Sequence, residues 1–184
     1  MRVIAGTSKG LQLKSPKSTT TRPTTDMVKE ALFSILESMD IQWNRVLDLF
    51  AGSGALGIES LSRGAEQVDF VEQNIGACSV IKSNLEHGGL TAFSRVCCSD
   101  AGRTLQNLKD PYDLVFMDPP YRDRTIHQLL LQFSLTGLLN DGGVVVLLHS
   151  SRVEINQCYG NLLLIKQRKY GDTGVSIFRK DSAH

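Results

Sequence analysis

The stretch "VLDLFAGSGALG", from Val46 to Gly57, decides the fold class of this 184-residue chain. A short apolar run ends there, and Gly52, Gly54 and Gly57 follow at the GxGxxG spacing before a segment with helical character. Glycines in such a turn let the backbone bend tightly and let a ligand approach the N–H groups at the start of the helix. The stretch therefore predicts a strand, a ligand-binding turn and a helix, which together open a Rossmann-like α/β sheet.

Strand-like and helix-like segments alternate along the rest of the chain. The last two strand-like segments, "NLLLIKQRKYG" and "GVSIFRK", follow each other without a helix between them. Such alternation predicts right-handed crossovers and a mostly parallel sheet covered on both faces, with the final strand pair antiparallel. The predicted fold class is thus a doubly wound α/β sheet, with ligands at the carboxyl ends of its strands. The earlier strand-like segments are "RVLDLF", "QVDFVE", "FSRVCC", "YDLVFMD" and "GGVVVLLHS".

The N-terminal part of the chain has a different pattern. "MRVIAG" and "LQLKSP" are short extended runs around "TSKG", so they predict a small β-hairpin. After a polar loop, Thr24, Thr25 or Asp26 can cap a helix in "MVKEALFSILESM". We expect one domain over residues 1–184, with a hairpin and basic loop in 1–23 and the ligand-binding α/β core in 24–184.

The composition is that of an ordinary globular domain, with 41% hydrophobic and 21% charged residues, which argues against a disordered chain. No long apolar segment is present, so neither a secretory signal nor a membrane span is expected. The four cysteines form no CxxC pair and the four histidines are scattered, so we expect reduced thiols, no metal and a cytoplasmic protein. The cysteines are Cys78, Cys97, Cys98 and Cys158.

Positive charge is concentrated in two places, although the net charge is only +1. The segment from Met1 to Lys29 holds six basic residues and one acid, Asp26. Both clusters allow two interpretations, a solvated surface or a footprint for phosphates. The first cluster is Arg2, Lys9, Lys14, Lys17, Arg22 and Lys29, and the second is Lys166, Arg168 and Lys169.

Two acids at predicted strand ends distinguish between cofactors. Glu72 ends the second strand of the core, where it can accept hydrogen bonds from two ribose hydroxyls. The glycine fingerprint alone is compatible with NAD. Asp48 would repel a pyrophosphate, however, whereas it would attract the ammonium and sulfonium of S-adenosylmethionine. The charges therefore favour S-adenosylmethionine. Asp100, at the end of the third strand, can bind an adenine amino group, cap a helix, or do both.

The motif "DPPY", Asp118 to Tyr121, ends the fourth strand. An exocyclic amino nitrogen of a base is a poor nucleophile because its lone pair is delocalised into the ring. Asp118 and the carbonyl of Pro119, whose ring fixes its own φ, can accept both N–H bonds and direct the lone pair toward the methyl group. Tyr121 offers a ring on which the base can stack. A simple loop turn is the alternative interpretation.

These motifs together resemble those of a known family. "RPTTDMVKEALFSIL", "RVLDLFAGSGALGIESLSRGA", "FMDPPY" and "YGDTGVSIF" are similar to the bacterial 16S ribosomal RNA guanine-N2 methyltransferases called RsmD. The resemblance implies a class I methyltransferase that uses S-adenosylmethionine, without metal, to methylate guanine 966 (the ribosome's numbering) on a small-subunit assembly particle. A monomer is expected. Ser99 and Leu148 depart from the family pattern, and Leu148 leaves a polar contact at its strand end in doubt.

By that resemblance, the site residues fall into three groups. The catalytic residues would be Asp118, Pro119, Pro120 and Tyr121. The cofactor-binding residues would be Asp48, Phe50, Ala51, Gly52, Ser53, Gly54, Glu72, Asp100, Ala101 and Asp118. The RNA-binding residues would be Arg2, Lys9, Lys14, Lys17, Arg22 and Thr24.

Three other functions share part of this pattern. A DNA or RNA adenine-N6 methyltransferase has the same "DPPY" chemistry, although the DNA enzymes usually carry a separate target-recognition domain. A protein glutamine methyltransferase fits the basic N-terminal segment less well. A non-enzymatic assembly factor that binds S-adenosylmethionine or RNA would not need Asp118.

Overall fold

The computed structural model describes residues 1–16, 25–39, 41–120 and 126–181. The described residues form an eight-stranded sheet with helices on both faces. The strands are β1 (Arg45–Leu49), β2 (Gln67–Glu72), β3 (Ser94–Cys98), β4 (Tyr112–Met117), β5 (Leu139–Ser150), β6 (Cys158–Tyr159), β7 (Leu162–Tyr170) and β8 (Thr173–Lys180). The helices are α1 (Asp26–Glu37), α2 (Ala55–Ser62), α3 (Ile75–His87), α4 (Ala101–Leu105) and α5 (Ile126–Ser134), with a 3₁₀ turn at Thr91–Phe93.

The strand order is β3-β2-β1-β4-β5-β8-β7-β6. The first five strands in this order are parallel to one another, and β8, β7 and β6 continue the sheet with antiparallel pairings. This confirms the predicted doubly wound α/β sheet with an antiparallel final pair. The two-residue strand β6 was not predicted, because two residues are too few to show an alternating pattern.

Two apolar cores lie on the two faces of the sheet. α1, α2 and α3 cover one face, where Phe33 packs against Phe116 with ring centroids 5.7 Å apart. α4 and α5 cover the other face. Strands covered on both sides need apolar residues at nearly every position, which is why β4 and β5 contain continuous apolar runs. Within the described ranges, no helix is long and apolar enough to cross a membrane.

The N-terminal hairpin packs against the helices of the first face. Arg2 and Gln12 form an antiparallel bridge, and the Val3 N–H donates to the Leu11 carbonyl at 3.0 Å. Val3 and Leu13 are buried in the same core as α1 and α2. The predicted hairpin is therefore confirmed, and its apolar residues belong to the main core.

A buried carboxylate attaches this hairpin to α2. Glu59 accepts the N–H groups of Ile4 and Ala5 at 2.8 and 3.0 Å, and it pairs with Lys29 at 3.2 Å and Arg63 at 2.8 Å. Lys29 is fully buried, and this burial lowers its pKa although Glu59 opposes the shift. The interpretation of Lys29 as part of a phosphate-binding surface is therefore wrong. Its charge holds α1, α2 and the hairpin together.

A second buried carboxylate joins the amino-terminal halves of four strands. Asp69 of β2 accepts the hydroxyl of Tyr112 at 2.6 Å and two guanidinium N–H groups of Arg95 at 3.1 and 2.9 Å. Arg45 of β1 adds a contact at 3.5 Å. Every partner belongs to the sheet, so this network is structural and lies at the edge opposite the strand ends discussed next.

Candidate active site

Three acids meet where β1, β2 and β4 end, at what we call the carboxyl edge of the sheet. Asp48 lies in β1, Glu72 is the last residue of β2, and Asp118 directly follows β4. β1 is hydrogen-bonded between β2 and β4, and the Asp118 N–H approaches the Leu49 carbonyl at 3.4 Å. The strand order also reverses between β1 and β4, since β2 and β3 lie on one side of β1 and β4 and β5 on the other. Open α/β sheets bind their ligands at such a point.

The turn after β1 has an unusual backbone. Phe50 has a φ of 71°, and it is the only non-glycine residue with a positive φ among those described. The N–H groups of Phe50 and Ala51 both donate to the Val71 carbonyl at 3.0 Å, which holds this conformation in place. A strained residue of this kind costs about 1–3 kcal/mol and is characteristic of functional sites. A Cβ built on Gly52, by contrast, meets nothing within 4 Å, so this part of the turn is open to a ligand.

The third glycine of the fingerprint brings α2 close to the sheet. A Cβ on Gly57 would lie 2.3 Å from Cε1 of Phe70, so only glycine fits there. The Gly57 N–H donates to Oδ2 of Asp48 at 2.9 Å. Gly54 is the N-cap residue of α2 and has no side chain to cap it, so Asp48 supplies the acceptor from the neighbouring strand.

Asp48 carries the main electrostatic signal of the site. Its side chain is 1% exposed. Burial raises its pKa to about 7, with further upward contributions from the charges of Asp118 and Glu72, while the Gly57 hydrogen bond acts in the opposite direction. Three carboxylates near one another disfavour an anionic ligand and favour a cationic one. The donor set therefore fits the ammonium and sulfonium of S-adenosylmethionine better than the pyrophosphate of NAD.

Glu72 is held in a fixed orientation by two backbone amides. Its Oε2 accepts the Gly52 N–H at 2.9 Å, and its Oε1 accepts the Asn74 N–H at 2.8 Å. A carboxylate has about four acceptor positions, so both oxygens keep capacity for further donors. The predicted role of Glu72 in binding ribose hydroxyls stays a prediction, and the geometry is compatible with it.

Asp100 caps α4, as one of its two interpretations required. Its Oδ1 accepts the Arg103 N–H at 3.1 Å, and the side chain is exposed at the carboxyl edge. Ala101 is buried beneath it in the second core. Since a cap uses one oxygen, an adenine contact by the other stays a prediction.

The "DPPY" motif lies at the end of β4. Asp118 is partly buried, Pro119 is buried and Pro120 is exposed, whereas Tyr121 lies outside the described residues. Ser53 connects the glycine turn to its surroundings, because its carbonyl accepts a hydrogen bond from Asn84 at 3.0 Å. The catalytic roles within the motif stay predictions.

The predicted RNA-binding residues are not all in one place. Arg2 lies beside the start of α1, where it pairs loosely with Asp26 at 3.6 Å, and Lys14 donates to Ser83 at 3.0 Å. Lys9 is in the hairpin tip, whose backbone contacts Ser62 at the other end of α2. Lys17, Arg22 and Thr24 lie outside the described residues. The second basic cluster, Lys166, Arg168 and Lys169, is on β7.

A polar network at the end of β5 was not predicted. The two ring nitrogens of His149 contact the Ser150 carbonyl and the Ser176 hydroxyl, each at 2.8 Å, and Gln167 also donates to that hydroxyl. Burial lowers the pKa of His149, so it is neutral at pH 7. A Cβ on Gly174 would lie 2.4 Å from the His149 ring, which explains the second glycine of "YGDTGVSIF". The hydrogen bond of Ser176 to the same ring explains the serine.

Two further observations complete the site. Leu148, where the sequence put a polar contact in doubt, is fully buried in the first core, and His149 makes the polar contacts instead.

No group of three or more histidine, cysteine, aspartate or glutamate side chains in the described part of the chain could hold a metal ion.

Comparisons with known proteins agree with this geometry. The family model described as "Conserved hypothetical protein 95" matches residues 1–179. The chain is 40% identical over 183 residues to YlbH of Bacillus subtilis (strain 168), provisionally named an rRNA methyltransferase, with 98% of this chain and 99% of YlbH covered. It is 30% identical over 183 residues to the ribosomal RNA small subunit methyltransferase D of Escherichia coli (strain K12), with 99% of this chain and 91% of that protein covered.

A solved structure has nearly the same fold throughout. The structure of yhhF from Escherichia coli, provisionally named a methyltransferase, superposes with a TM-score of 0.87 at 28% sequence identity. The superposition covers 99% of this chain and 98% of that one. The likeness of fold therefore extends over nearly the whole chain, including the segments that form the hairpin and the glycine turn.

Proposed function

Because the chain belongs to the family described as conserved hypothetical protein 95, the RsmD-type methyltransferases, we propose that it methylates the exocyclic N2 of a guanine in 16S ribosomal RNA. The proposed nucleotide is guanine 966, and the proposed substrate is a small-subunit particle during assembly in the bacterial cytoplasm. The observation that carries the proposal is the group of three carboxylates around an open glycine turn, with "DPP" directly beside it.

S-adenosylmethionine supplies the methyl group, activated by its positive sulfur. Asp48, Glu72 and Asp118 surround the turn at Phe50 to Gly54, so the chain offers negative charge and open backbone where that cofactor needs them. Glu72 takes the ribose hydroxyls and Asp100 the adenine amino group. Ala51 and Ser53 belong to the turn after β1, and Ala101 begins α4 at the same edge of the sheet.

The catalytic contribution of the chain is positioning and polarisation of the nucleophile. Asp118 and the Pro119 carbonyl accept the two N–H bonds of the guanine amino group, so the nitrogen lone pair is no longer shared fully with the ring. Transfer is direct and in line, with no covalent intermediate on the protein. Tyr121 stacks on the guanine, a contact worth roughly 1–3 kcal/mol per base in single-stranded complexes. Tyr121→Phe should therefore be milder than Tyr121→Ala.

The basic residues at the base of the hairpin hold the RNA. Arg2 and Lys14 are both exposed, and they follow Met1 and Leu13 at the base of the hairpin. The Leu13 N–H donates to the Met1 carbonyl, and the side chain of Met1 contacts Ser53 of the glycine turn. Arg2 and Lys14 therefore lie near that turn. Lys17, Arg22 and Thr24, which lie outside the described residues, are proposed to contact the same RNA. Lys9, at the hairpin tip, contacts only RNA that extends along α2. The protein works as a monomer.

One assay tests the reaction and the target together. Small-subunit particles from cells lacking the protein are incubated with the purified chain and labelled S-adenosylmethionine, and the ribosomal nucleosides are analysed by mass spectrometry. We expect N2-methylguanine at position 966. N6-methyladenine would keep the "DPPY" chemistry but refute the guanine assignment. Absence of any labelled nucleoside on particles and on naked RNA would favour a non-enzymatic assembly factor.

A binding assay tests the cofactor separately. S-adenosylmethionine and S-adenosylhomocysteine should raise the melting temperature, as any ligand of the native state does, and NAD should not. Glu72→Ala should weaken cofactor binding, since each charge-assisted hydrogen bond lost is worth roughly 1.5–3 kcal/mol. Asp141→Ala, which removes an exposed carboxylate paired with Lys180, is the matched control. Equal cofactor affinity in the Glu72 variant would contradict the assignment.

A further inference from the structure

Two cysteines meet directly behind Glu72. Cys78 lies in the first turn of α3 and is 3% exposed, and its thiol donates to the backbone carbonyl of Glu72 at 3.2 Å. Cys98, on β3, is the register partner of Glu72 in the parallel sheet. Both cysteines thus touch or flank one residue of the proposed cofactor site.

The alternation of β3 places these two thiols on the same side of the sheet. Val96 packs into the core covered by α1, α2 and α3, whereas Cys97 packs into the core on the opposite face. Successive side chains of a strand point to opposite faces, so Cys98 shares the α3 face with Val96. The Cys78 thiol contacts the carbonyl of Glu72, and Glu72 is paired with Cys98 across the sheet, so the two thiols lie at neighbouring positions on this face. Cys98 is also exposed, so small molecules can reach it.

We propose that Cys78 and Cys98 form a modification site, a thiol pair that a low-molecular-weight disulfide converts to an intramolecular disulfide, and that this bond disables the cofactor site through Glu72. Only the effect on the cofactor rests on the proposed function.

The chemistry proceeds in two exchanges and balances. The Cys98 thiolate attacks one sulfur of the small disulfide, forms a mixed disulfide and releases one small thiol. The Cys78 thiol then loses its proton and attacks the Cys98 sulfur, which releases the second small thiol. The protein loses two electrons and two protons, and the small disulfide gains them.

The two steps should differ in rate. Burial raises the pKa of Cys78 to about 12, with the neighbouring Cys98 adding to the shift, so very little of its reactive thiolate exists at pH 7. The mixed disulfide on exposed Cys98 should therefore accumulate first, and closure should speed up as the pH rises. Such a bond suits a transient switch, because cytoplasmic proteins rarely keep permanent disulfides.

Closure of the disulfide acts on the cofactor site through the backbone of Glu72. A disulfide holds its sulfurs at about 2.05 Å with a fixed dihedral angle, so the end of β3 and the start of α3 must approach each other. The Cys78 thiol no longer donates to the Glu72 carbonyl, which also accepts the Ser99 N–H at 3.0 Å. Glu72 in turn holds the amides of Gly52 and Asn74. We therefore expect loss of the fixed Glu72 orientation.

The first experiment uses oxidised glutathione as the probe on the whole purified chain. Mass spectrometry of the intact protein should show one bound glutathione and then a species two hydrogens lighter than the reduced protein, and peptide mapping should give a Cys78–Cys98 bond. Cys98→Ser should abolish both species, and Cys78→Ala should stop at the mixed disulfide. Because Cys158 is also exposed, the reference protein and all variants carry Cys158→Ser, and Cys97→Ser in that background is the matched control that should behave as the reference. A Cys97–Cys98 bond, or no bond under excess oxidant, overturns the proposal.

The second experiment measures the consequence for binding. The oxidised protein should bind S-adenosylhomocysteine at least about tenfold more weakly, which is roughly 1.4 kcal/mol, and dithiothreitol should restore binding. Oxidised Cys98→Ser should bind as the reduced protein does. Unchanged affinity in protein with the mapped disulfide overturns the proposed effect on Glu72. If the reduced wild type does not bind S-adenosylhomocysteine, the proposed function fails, while the mapped bond still decides the thiol pair.

Discussion

At the scale of single residues, Asp48 has a structural role in capping α2 and an electrostatic role in the cofactor site, and the sequence indicated only the second. Its Oδ2 caps α2 through Gly57, and its buried carboxylate is repelled by the partly buried carboxylates of Glu72 and Asp118. A buried carboxyl with neighbouring carboxylates holds its proton to a higher pH than an exposed one. The proton on Asp48 and the positive charge of a cofactor therefore compete for the same place.

This competition predicts proton-linked cofactor binding. With a pKa of about 7 in the free protein, Asp48 must release its proton below that pH to accept the ammonium group. The dissociation constant for S-adenosylhomocysteine should thus fall as the pH rises toward about 7, by up to tenfold per unit, and level off above it. Titration calorimetry at a series of pH values measures this slope. Asp48→Asn should remove it, and Asp141→Asn, at an exposed site, should keep it; a flat wild-type profile contradicts the assignment.

The same shift affects stability with a defined sign. Because the folded-state pKa of Asp48 is raised above its ordinary value of 3.8, its contribution to folding is fully present below that value. It is lost as the pH rises through about 7. As the pH rises from 3.8 to about 7, the free energy of unfolding of the cofactor-free wild type should therefore fall relative to that of Asp48→Asn.

Asp118 is the residue on which catalysis should depend most. Asp118→Ala removes an acceptor of the amino group, and we expect turnover to fall by about two to three powers of ten, by analogy with a removed oxyanion-hole donor. Asp118→Asn keeps an acceptor oxygen and should lose less. Single-turnover methylation at saturating S-adenosylmethionine measures both variants, and calorimetry measures separately the smaller loss of cofactor affinity expected when one of the three carboxylates is removed. Full activity of Asp118→Ala would refute the mechanism.

At the scale of elements, the hairpin is attached to α2 by both charge and shape. Glu59 binds its backbone, and Gly6 packs against the carboxyl end of α2 so tightly that a Cβ would lie 1.7 Å from the Ser62 carbonyl. Loss of one partner of a buried ion pair such as Lys29–Glu59 costs about 3–5 kcal/mol. The orientation of the hairpin is therefore fixed by the core and does not depend on bound RNA.

Two glycines of the hairpin provide a controlled test of this attachment. Gly6 and Gly10 have φ values of 81° and 87°, but only Gly6 faces a close neighbour. Alanine at a left-handed position costs about 1–2 kcal/mol, so Gly10→Ala should lose roughly that much stability. Gly6→Ala should lose more, because the hairpin must also move away from Ser62. Urea unfolding measures both, and equal losses would mean that the contact with α2 contributes nothing.

At the scale of the whole molecule, Arg2 and Lys14 are the basic residues, among those that the structure describes in the N-terminal segment, that lie near the carboxyl edge, at the base of the hairpin. Each phosphate contact should add roughly −0.7 to the slope of log affinity against log salt on single-stranded RNA. Arg2→Gln with Lys14→Gln should therefore flatten the slope by about two contacts without changing cofactor binding. Lys109→Gln, beyond the opposite edge of the sheet, is the control. An unaltered slope in the double variant would mean that this surface is only solvated.

The sequence by itself determined the fold class, the order of the main strands and helices, and the strand ends that carry Asp48, Glu72, Asp100 and Asp118. These features follow from local patterns, because apolar alternation, glycine in tight turns and acids after buried runs act within a few neighbouring residues. The glycine fingerprint and "DPP" fell at one edge for the same reason, since parallel strands all end on one side of their sheet.

Only the tertiary structure decided which residues meet across the chain. Lys29 looked like a surface cation until Glu59, 30 positions away in the sequence, was found to bury it. The left-handed Phe50, the His149–Ser176 network and the contact of Cys78 with Glu72 likewise depend on partners from separate elements. The physical reason is that burial and pairing are properties of packed surfaces, and a side chain of one element has no local signal that identifies the distant element against which it packs.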